Sequence, residues 1–359
     1  MSDRALDGTE LRQIVTHELD GTRRSETNAE NRCAGRVLTC DTAPVIAIDR
    51  PKLEGSVAVG DKRRRRIGFS EFGSPTGPVV IWLHGTPGAR RQIPCEAREY
   101  AEERGFRLIG LDRPGVGSST AHRYDSISDF TSDFQLVLST LGVDRCSVIG
   151  MSGGGPYTLA CARFLPDRVV SVGIVGGVAP VTGPDGIAGG AVDNIRSVEP
   201  LLTKAGGPIG KAVSAVLSVA RPIAEPAIAT YGRLSPDADR ELLSRPEFKA
   251  MFLDDLLHGG SRRMEAPFAD LALFVRDWGF RVGDVTVPVT WWHGDRDNII
   301  PYAHGQQMTT LLPNAELVTV PGQSHLSTLG MSVEIIDQVL AAWPDQSLRY
   351  DRTPLSALA

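Results

Sequence analysis

Short, nearly continuous apolar runs alternate with longer amphipathic stretches along the chain from Val57 onward. Two of these runs are Pro78–Leu83 and Leu108–Leu111. Strands that are apolar at every position are typical of a parallel sheet covered by helices on both faces, because neither side of such a strand meets water. The alternation therefore predicts an α/β fold in which strands are joined by helices.

The stretches between the runs have helical spacing or helix-end signals. Residues 91–104 are rich in charge and end at Gly105, which predicts a helix with a glycine stop. Residues 128–141 carry apolar side chains on one helical face. A helix is also predicted at Tyr157–Phe164, and further strands are predicted around Ile67 and Phe69 and at Cys146–Ile149, Val169–Val175, Val285–Trp292 and Leu317–Val320.

Two parts of the chain depart from this alternation. Residues 1–54 show no sustained period, which predicts a polar, poorly ordered extension. Residues 177–277 show no strand pattern, whereas residues 209–228 and 237–258 look helical. A disordered insert is the alternative for this segment, and its many Leu, Ile and Phe residues count against it. The predicted organisation is an extension (1–54), a first core segment (55–176), a helical cap (177–277), a second core segment (278–345) and a tail (346–359).

The composition excludes several classes of protein. A formal net charge of -5 gives no broad basic face for nucleic acid, and the run Arg63–Arg66 is interpreted as the solvated start of a strand. Five cysteines without metal-ligand spacing predict free thiols. No apolar stretch has the length of a bilayer span, and no secretory signal is evident. We therefore expect a soluble, cytoplasmic protein without a nucleic-acid partner or a transmembrane segment; the oligomeric state cannot be read from the sequence.

The pentapeptide Gly150–Gly154 (GMSGG) matches G-x-S-x-G and lies between an apolar strand and a helix. In this context the serine sits on a tight turn, where glycines avoid clashes with the neighbouring elements. The start of the helix directs free backbone N–H groups at the same place. The letters alone are weak evidence, because a glycine-rich turn with a helix-capping serine would match them equally. Its position makes Ser152 the candidate nucleophile.

The segment His84–Gly88 (HGTPG) directly follows a predicted strand. It is therefore expected at the carboxyl edge of the sheet, where ligands bind in open α/β folds. An oxyanion hole needs two N–H groups, and the candidates are those of Thr86 and Gly153, with His84 and Gly85 as supporting residues of the loop. An ordinary turn is the alternative interpretation.

A serine hydroxyl needs a base, and a histidine base needs an acid that fixes its tautomer. His325 lies in a loop after the last predicted strand, and this placement favours it over His293, which ends a strand. Asp295 and Asp297 compete for the role of the acid. Asp297 is preferred because it lies farther out in its loop, whereas Asp295, beside Arg296, fits an ion-pair or turn residue.

Taken in order, these motifs resemble those of the α/β-hydrolase superfamily over residues 57–343. The resemblance rests on HGTPG, on the Asp112–Ser119 turn (DRPGVGSS), on GMSGG, and on the GDRD and GQSH loops. It implies an eight-stranded, mostly parallel sheet with a helical cap after the sixth strand. It also assigns the nucleophile to Ser152, the acid to Asp297 and the base to His325.

The sequence thus predicts a serine hydrolase that cleaves an ester or related acyl bond of a small, apolar substrate through an acyl-enzyme, with no metal or cofactor. HGTPG differs from the HGGPG of proline iminopeptidases, whose elbow usually carries a Trp, so peptidase activity is less favoured. The loop before His325 also lacks the glycine that often precedes the family's histidine. A serine at the elbow argues against epoxide hydrolases and haloalkane dehalogenases, which attack with Asp. A cofactor-free perhydrolase that keeps the same three residues, or a non-catalytic protein that binds a small ligand, would also fit these motifs.

Overall fold

The computed structural model describes residues 48–195, 200, 235–259 and 266–343. Its centre is a sheet of eight strands: β1 (Leu53–Val59), β2 (Arg65–Gly73), β3 (Val79–Leu83), β4 (Arg107–Leu111), β5 (Cys146–Met151), β6 (Val169–Val175), β7 (Val289–Gly294) and β8 (Ala315–Val320). The strand order is β1-β2-β4-β3-β5-β6-β7-β8. Strand β2 pairs antiparallel with β1 and β4, and all other pairs are parallel. The predicted α/β class and mostly parallel eight-stranded sheet are confirmed.

Helices connect the strands and cover both faces of the sheet. They are α1 (Cys95–Arg104), α2 (Phe130–Thr140), α3 (Gly155–Phe164), α4 (Gly190–Ile195), α5 (Asp237–Ser244), α6 (Pro246–Asp254), α7 (Ala266–Phe274), α8 (Tyr302–Leu311) and α9 (Ser332–Ala341). Helix α1 ends at Gly105, whose φ of 74° lies in the left-handed region, as a glycine stop requires.

Alternate side chains of the central strands point to opposite faces, and both faces are buried. In β3, Val79 and Ile81 join the core formed with α2 and α3, whereas Val80 and Trp82 join the core formed with α1 and α9. Every residue of β3 is therefore buried. This two-sided burial explains why the strand is apolar throughout.

Several element boundaries differ from the prediction, and two of the differences follow from prolines. Helix α1 begins at Cys95 rather than near residue 91, because Pro94 disfavours helical backbone in the residue before it. Strand β7 begins at Val289 rather than Val285, since Pro288 has no N–H for a ladder. Strand β1 (Leu53–Val59) was not predicted as a strand from the sequence.

Between β6 and β7, the described residues form α4 to α7 and no strand. Helices α5 and α6, continued by a π-helical turn at Asp255–Gly259, occupy the segment predicted as helical at 237–258. We call α5, α6 and α7, which lie in the segment predicted as a cap, the cap helices. The predicted helix at 209–228, most of the predicted N-terminal extension and the C-terminal tail lie outside the described residues. Within the described part of the chain, no helix is long and apolar enough to cross a membrane.

Candidate active site

Ser152 occupies the turn between β5 and α3. Its φ of 49° places a non-glycine residue in the left-handed region. Such a conformation costs about 1–3 kcal/mol and persists only where the surrounding structure enforces it. A short 3-10 turn, Ser152–Gly154, leads from the strand into α3. The predicted strand–turn–helix context of GMSGG is therefore present.

The glycines of the elbow are required by close packing. A Cβ on Gly154 would lie 2.3 Å from the carbonyl oxygen of Leu83, at the end of β3. A Cβ on Gly150 would lie 2.3 Å from Oγ1 of Thr158 on α3. Neither distance is compatible with a side chain, so the sharp turn that exposes the serine hydroxyl depends on both glycines.

Three predicted side chains from three strand ends lie in one chain of hydrogen bonds. Oγ of Ser152, after β5, lies 2.9 Å from Nε2 of His325, after β8. Nδ1 of His325 lies 2.7 Å from Oδ2 of Asp297, after β7. The competing acid, Asp295, is exposed and instead accepts a hydrogen bond from the N–H of Gly322 at 2.7 Å.

Asp297 is held on both of its carboxylate oxygens. Oδ1 accepts hydrogen bonds from the N–H groups of Ile299 and Ile300, each at 2.9 Å, which leaves Oδ2 for His325. Burial opposes ionisation of this carboxyl, but the charge of His325 and hydrogen bonds from His293 and His325 outweigh it. The pKa of Asp297 is consequently held below its usual range.

Two residues next to Asp297 and His325 were not predicted as site residues from the sequence. Nε2 of His293, at the end of β7, lies 3.4 Å from Oδ2 of Asp297. Gly176, after β6, has a φ of 53°, and a Cβ there would lie 3.3 Å from both Asp297 Oδ2 and His325 Nδ1. Their position in the sequence could have indicated them, because both residues lie at the ends of strands on the same edge of the sheet.

The HGTPG loop lies against the elbow. A Cβ on Gly85 would lie 3.6 Å from Cβ of Ser152, and a Cβ on Gly153 would lie 2.4 Å from Oγ1 of Thr86. The two predicted N–H donors, Thr86 and Gly153, therefore belong to segments in direct contact beside the serine. Phe274, from cap helix α7, also packs here, with its Cζ 2.8 Å from the same Gly153 position.

Hydrogen bonds to the Gly85 carbonyl orient the peptide that carries the Thr86 N–H. His84 Nε2 accepts from the N–H of Arg113, so Nδ1 carries the ring proton and donates to Gly85 O at 2.7 Å. Nη2 of Arg113 donates to the same oxygen at 2.9 Å. Since C=O and N–H point in opposite directions in a trans peptide, the Thr86 N–H is directed away from Arg113. Burial and the charge of Arg113 lower the pKa of His84 well below its usual range, consistent with a neutral ring.

Comparison with known proteins gives matches of several kinds. Residues 78–190 match the family described as alpha/beta hydrolase fold. Over 109 residues the chain is 36% identical to a probable proline iminopeptidase of Leptolyngbya boryana, covering 30% of this chain and 33% of that protein. The match thus spans a third of that relative's length.

Two further matches extend over most of the chain. A non-heme haloperoxidase of Rhodococcus erythropolis is 25% identical over 275 residues, covering 72% of this chain and 89% of that protein. The solved structure of a thermophilic esterase from Thermogutta terrifontis aligns with a TM-score of 0.55 at 20% identity, covering 80% of this chain and 98% of that chain. With the sheet order and the match over residues 78–190, these similarities show that the chain has the α/β-hydrolase fold.

Proposed function

We propose that this protein is a serine hydrolase that cleaves an ester or related acyl bond of a small, apolar substrate through an acyl-enzyme. The observation that carries the proposal is the continuous hydrogen-bonded chain from Ser152 Oγ through His325 to Asp297. In this arrangement the proposed base, His325, bonds directly to both the proposed nucleophile and the proposed orienting acid, which is the geometry that activates a serine hydroxyl.

The proposed reaction begins when Ser152 Oγ attacks the acyl carbon and His325 Nε2 takes the hydroxyl proton. Asp297 accepts from Nδ1–H throughout, which keeps Nε2 free to receive the proton and stabilises the charged ring. His325 then returns the proton to the leaving alcohol, and an acyl-enzyme on Ser152 remains. His325 then takes a proton from water, which attacks the ester of Ser152, and returns it to Ser152 Oγ as the acid is released.

The negative charge that develops on the acyl oxygen is proposed to be bound by the N–H groups of Thr86 and Gly153. The second of these lies at the start of the turn into α3, where the helix dipole adds to the stabilisation. The loss of one such donor typically lowers kcat about 10²- to 10³-fold. The orientation of the Gly85–Thr86 peptide supports the first assignment.

The test is labelling with a fluorophosphonate probe, which phosphonylates only an activated serine. We expect the wild-type protein to be labelled and the Ser152→Ala variant to remain unlabelled. The matched control is Ser171→Ala, because Ser171 is a buried serine whose hydroxyl bonds to Ser147 and to the Val339 carbonyl and not to the three site residues. Undiminished labelling of Ser152→Ala would overturn the proposal.

Ester specificity is tested with p-nitrophenyl esters of increasing acyl length and with the p-nitroanilide of proline. An apolar substrate is supported by Phe274 packed beside the elbow and by the apolar composition of the predicted cap. We expect turnover of the esters and little of the anilide. Preferred turnover of the anilide would favour a peptidase like the iminopeptidase relative.

Perhydrolysis is a second candidate, which the similarity to the haloperoxidase favours. Hydrogen peroxide would replace water in the attack on the acyl-enzyme and release a peracid, which would oxidise bromide in solution. Bromination of monochlorodimedone in the presence of acetate and peroxide measures this activity. If neither reaction occurs, and an apolar ligand still raises the melting temperature, a non-catalytic ligand-binding role is favoured.

A further inference from the structure

Asp270, on cap helix α7, is buried and accepts four hydrogen bonds from outside the cap. Its Oδ2 accepts from Nε and Nη2 of Arg113, at 2.9 and 2.7 Å, and from the hydroxyl of Thr86 at 2.9 Å. Its Oδ1 accepts from the hydroxyl of Tyr157 at 2.7 Å. One carboxylate of the cap thus joins the HGTPG loop, the turn after β4 and the helix that follows the elbow.

The charges of this pair are almost completely removed from water. The side chains of Arg113 and Asp270 are 1% and 5% exposed. A buried ion pair is weak evidence for a stabilising role, because the cost of desolvating both charges offsets much of their attraction. The role of the Arg113–Asp270 pair is better inferred from the groups to which the two side chains bond.

The contacts of the pair converge on the peptide that carries the Thr86 N–H. Arg113 donates to the carbonyl oxygens of His84 and Gly85, at 2.5 and 2.9 Å. Its Nη2 also donates to the Thr86 hydroxyl at 2.8 Å, and that hydroxyl in turn donates to Asp270. Because the only hydroxyl proton of Thr86 is directed to Asp270, the donor that Thr86 can offer an oxyanion is its backbone N–H.

We propose that Asp270 is a positioning residue for the oxyanion hole: it fixes Arg113 and the Thr86 side chain, and through them the direction of the Thr86 N–H. The proposal rests on the proposed function and extends it by giving a cap residue a part in the acylation step. The hydrogen bonds of Asp270 are to Arg113, Thr86 and Tyr157 and not to Ser152 or His325. Its effect is expected on the transition state, because negative charge develops on the acyl oxygen there and is absent from the bound substrate.

The test is the Asp270→Asn variant, which keeps the size of the side chain and removes its charge. Its amide oxygen can still accept from Arg113 and Thr86, and its amide group can donate to the Tyr157 hydroxyl. We expect kcat on a p-nitrophenyl ester, and the rate constant of fluorophosphonate labelling, to fall about 10- to 100-fold. KM is expected to change by less than about threefold, since substrate binding is not altered.

The chain offers a closely matched control in Asp133 on α2. This buried carboxylate accepts from both terminal nitrogens of Arg65, at 2.5 and 2.8 Å, and from the hydroxyl of Tyr124 at 2.5 Å. Arg65 lies over the Tyr124 ring much as Arg113 lies over the ring of Tyr157. The Asp133→Asn variant is expected to lower the melting temperature while leaving kcat within about twofold of wild type. The reason is that Asp133 bonds to Arg65 and Tyr124 and to none of the proposed site residues.

The outcomes separate this inference from the proposed function. If wild-type protein is labelled but Asp270→Asn reacts at the wild-type rate, the inference alone is overturned. Equal losses of kcat in Asp270→Asn and Asp133→Asn would indicate a general structural effect and would also overturn it. A wild-type protein that neither reacts with the probe nor turns over esters would overturn the proposed function itself.

A second variant covers the case in which Asp270→Asn does not fold. Thr86→Val keeps the shape of the side chain and removes the hydroxyl that lies between Asp270 and Arg113. We expect a several-fold loss of kcat with KM unchanged, and an unchanged kcat in the folded variant would overturn the inference.

Discussion

Nε1 of Trp291 donates a hydrogen bond to Nδ1 of His293 at 3.1 Å, and this contact determines where the proton of the imidazole lies. An indole N–H is a donor only, so Nδ1 must accept and the ring proton is on Nε2. From there it is directed to the carbonyl oxygen of Ile300 at 2.9 Å and toward Oδ2 of Asp297 at 3.4 Å. Trp291 therefore orients His293 as a donor behind the candidate acid.

The first prediction concerns this donor. His293→Phe removes the N–H behind Asp297 while keeping a planar ring, and a slightly displaced carboxylate is expected to lower kcat on p-nitrophenyl esters about tenfold. His293→Gln places an amide nitrogen near the position of Nε2 and is expected to retain more activity than the Phe variant. Equal kcat values for the two folded variants would show that the N–H of His293 does not matter.

The second prediction concerns Asp297. In Asp297→Asn, the amide oxygen can still accept from Ile299 and Ile300, which turns the NH₂ group toward Nδ1 of His325. His325 would then carry its proton on Nε2 and could not accept one from Ser152. We expect kcat to fall on the order of 10⁴-fold with little change in fold.

Asp295→Asn is the matched control, because Asp295 lies in the same loop but is exposed and bonds to the N–H of Gly322. It is expected to keep most of its activity. A larger loss for Asp295→Asn than for Asp297→Asn, measured as kcat on the same ester, would reverse the assignment of the acid.

The third prediction compares two glycines with similar backbones. Gly176 and Gly142 have φ values of 53° and 65°, so an alanine at either position costs about 1 kcal/mol of stability. A Cβ at Gly142 has no neighbour within 4 Å, whereas one at Gly176 would press on Asp297 and His325. Chemical denaturation is expected to show similar destabilisation of both alanine variants, while only Gly176→Ala loses ester hydrolysis. Full activity of Gly176→Ala would contradict this account.

The candidate site was largely predictable because of sheet topology. Ser152, Asp297 and His325 each follow a strand of a parallel sheet, and the carboxyl ends of such strands meet at one edge. The local sequence around each strand end was therefore sufficient to predict that these residues, which are distant in the chain, lie close together.

The contacts between the cap helices and the rest of the described fold were not predictable in this way. Asp270 bonds to Thr86 across 184 residues of sequence, and nothing in the pattern around Asp270 distinguishes it from a solvated helical aspartate. Strand β1 was not predicted as a strand, for a different reason. It lies at the edge of the sheet and is only partly buried at most positions, so its apolar pattern is weak.

The fourth prediction concerns Asp239 on cap helix α5, which holds the loop that carries His325. Its Oδ1 accepts from the N–H groups of Leu326 and Ser327, at 3.0 and 2.8 Å. Its Oδ2 is buried without a hydrogen-bond partner among the described residues. Asp239→Asn keeps both bonds through its amide oxygen, so its kcat is expected to stay near the wild-type value.

Asp239→Ala loses both bonds and leaves two buried N–H groups unpaired, which costs about 1–3 kcal/mol for each group. We expect a lower melting temperature and a kcat reduced in the folded protein, since the loop next to His325 is no longer held. The comparison is made on ester turnover per folded molecule. An alanine variant as active as the asparagine variant would show that Asp239 does not position the histidine.

The fifth prediction is a pH dependence of stability carried by Glu54 on β1. Burial opposes ionisation of this carboxyl, but hydrogen bonds from Arg91 and Ser70 and the charges of Arg90 and Arg91 lower its pKa to about 2. Because the folded-state pKa lies below the ordinary value of 4.5, the carboxylate stabilises the fold above about pH 4.5, and this contribution is lost as the pH falls toward 2. With the side chain 28% exposed, the contribution is up to about 3 kcal/mol.

Glu54→Gln removes the titrating group, and its urea unfolding free energy is expected to fall less steeply than that of wild type between about pH 5 and pH 3. The two proteins should differ most near neutral pH and converge in acid, because only the wild type loses its carboxylate there. If the unfolding free energies of the two proteins changed in parallel with pH, the role of Glu54 in the pH dependence would be contradicted. Since Arg90 and Arg91 follow the HGTPG loop, the same protonation in the wild type is expected to weaken two of the contacts that hold the segment after this loop against β1.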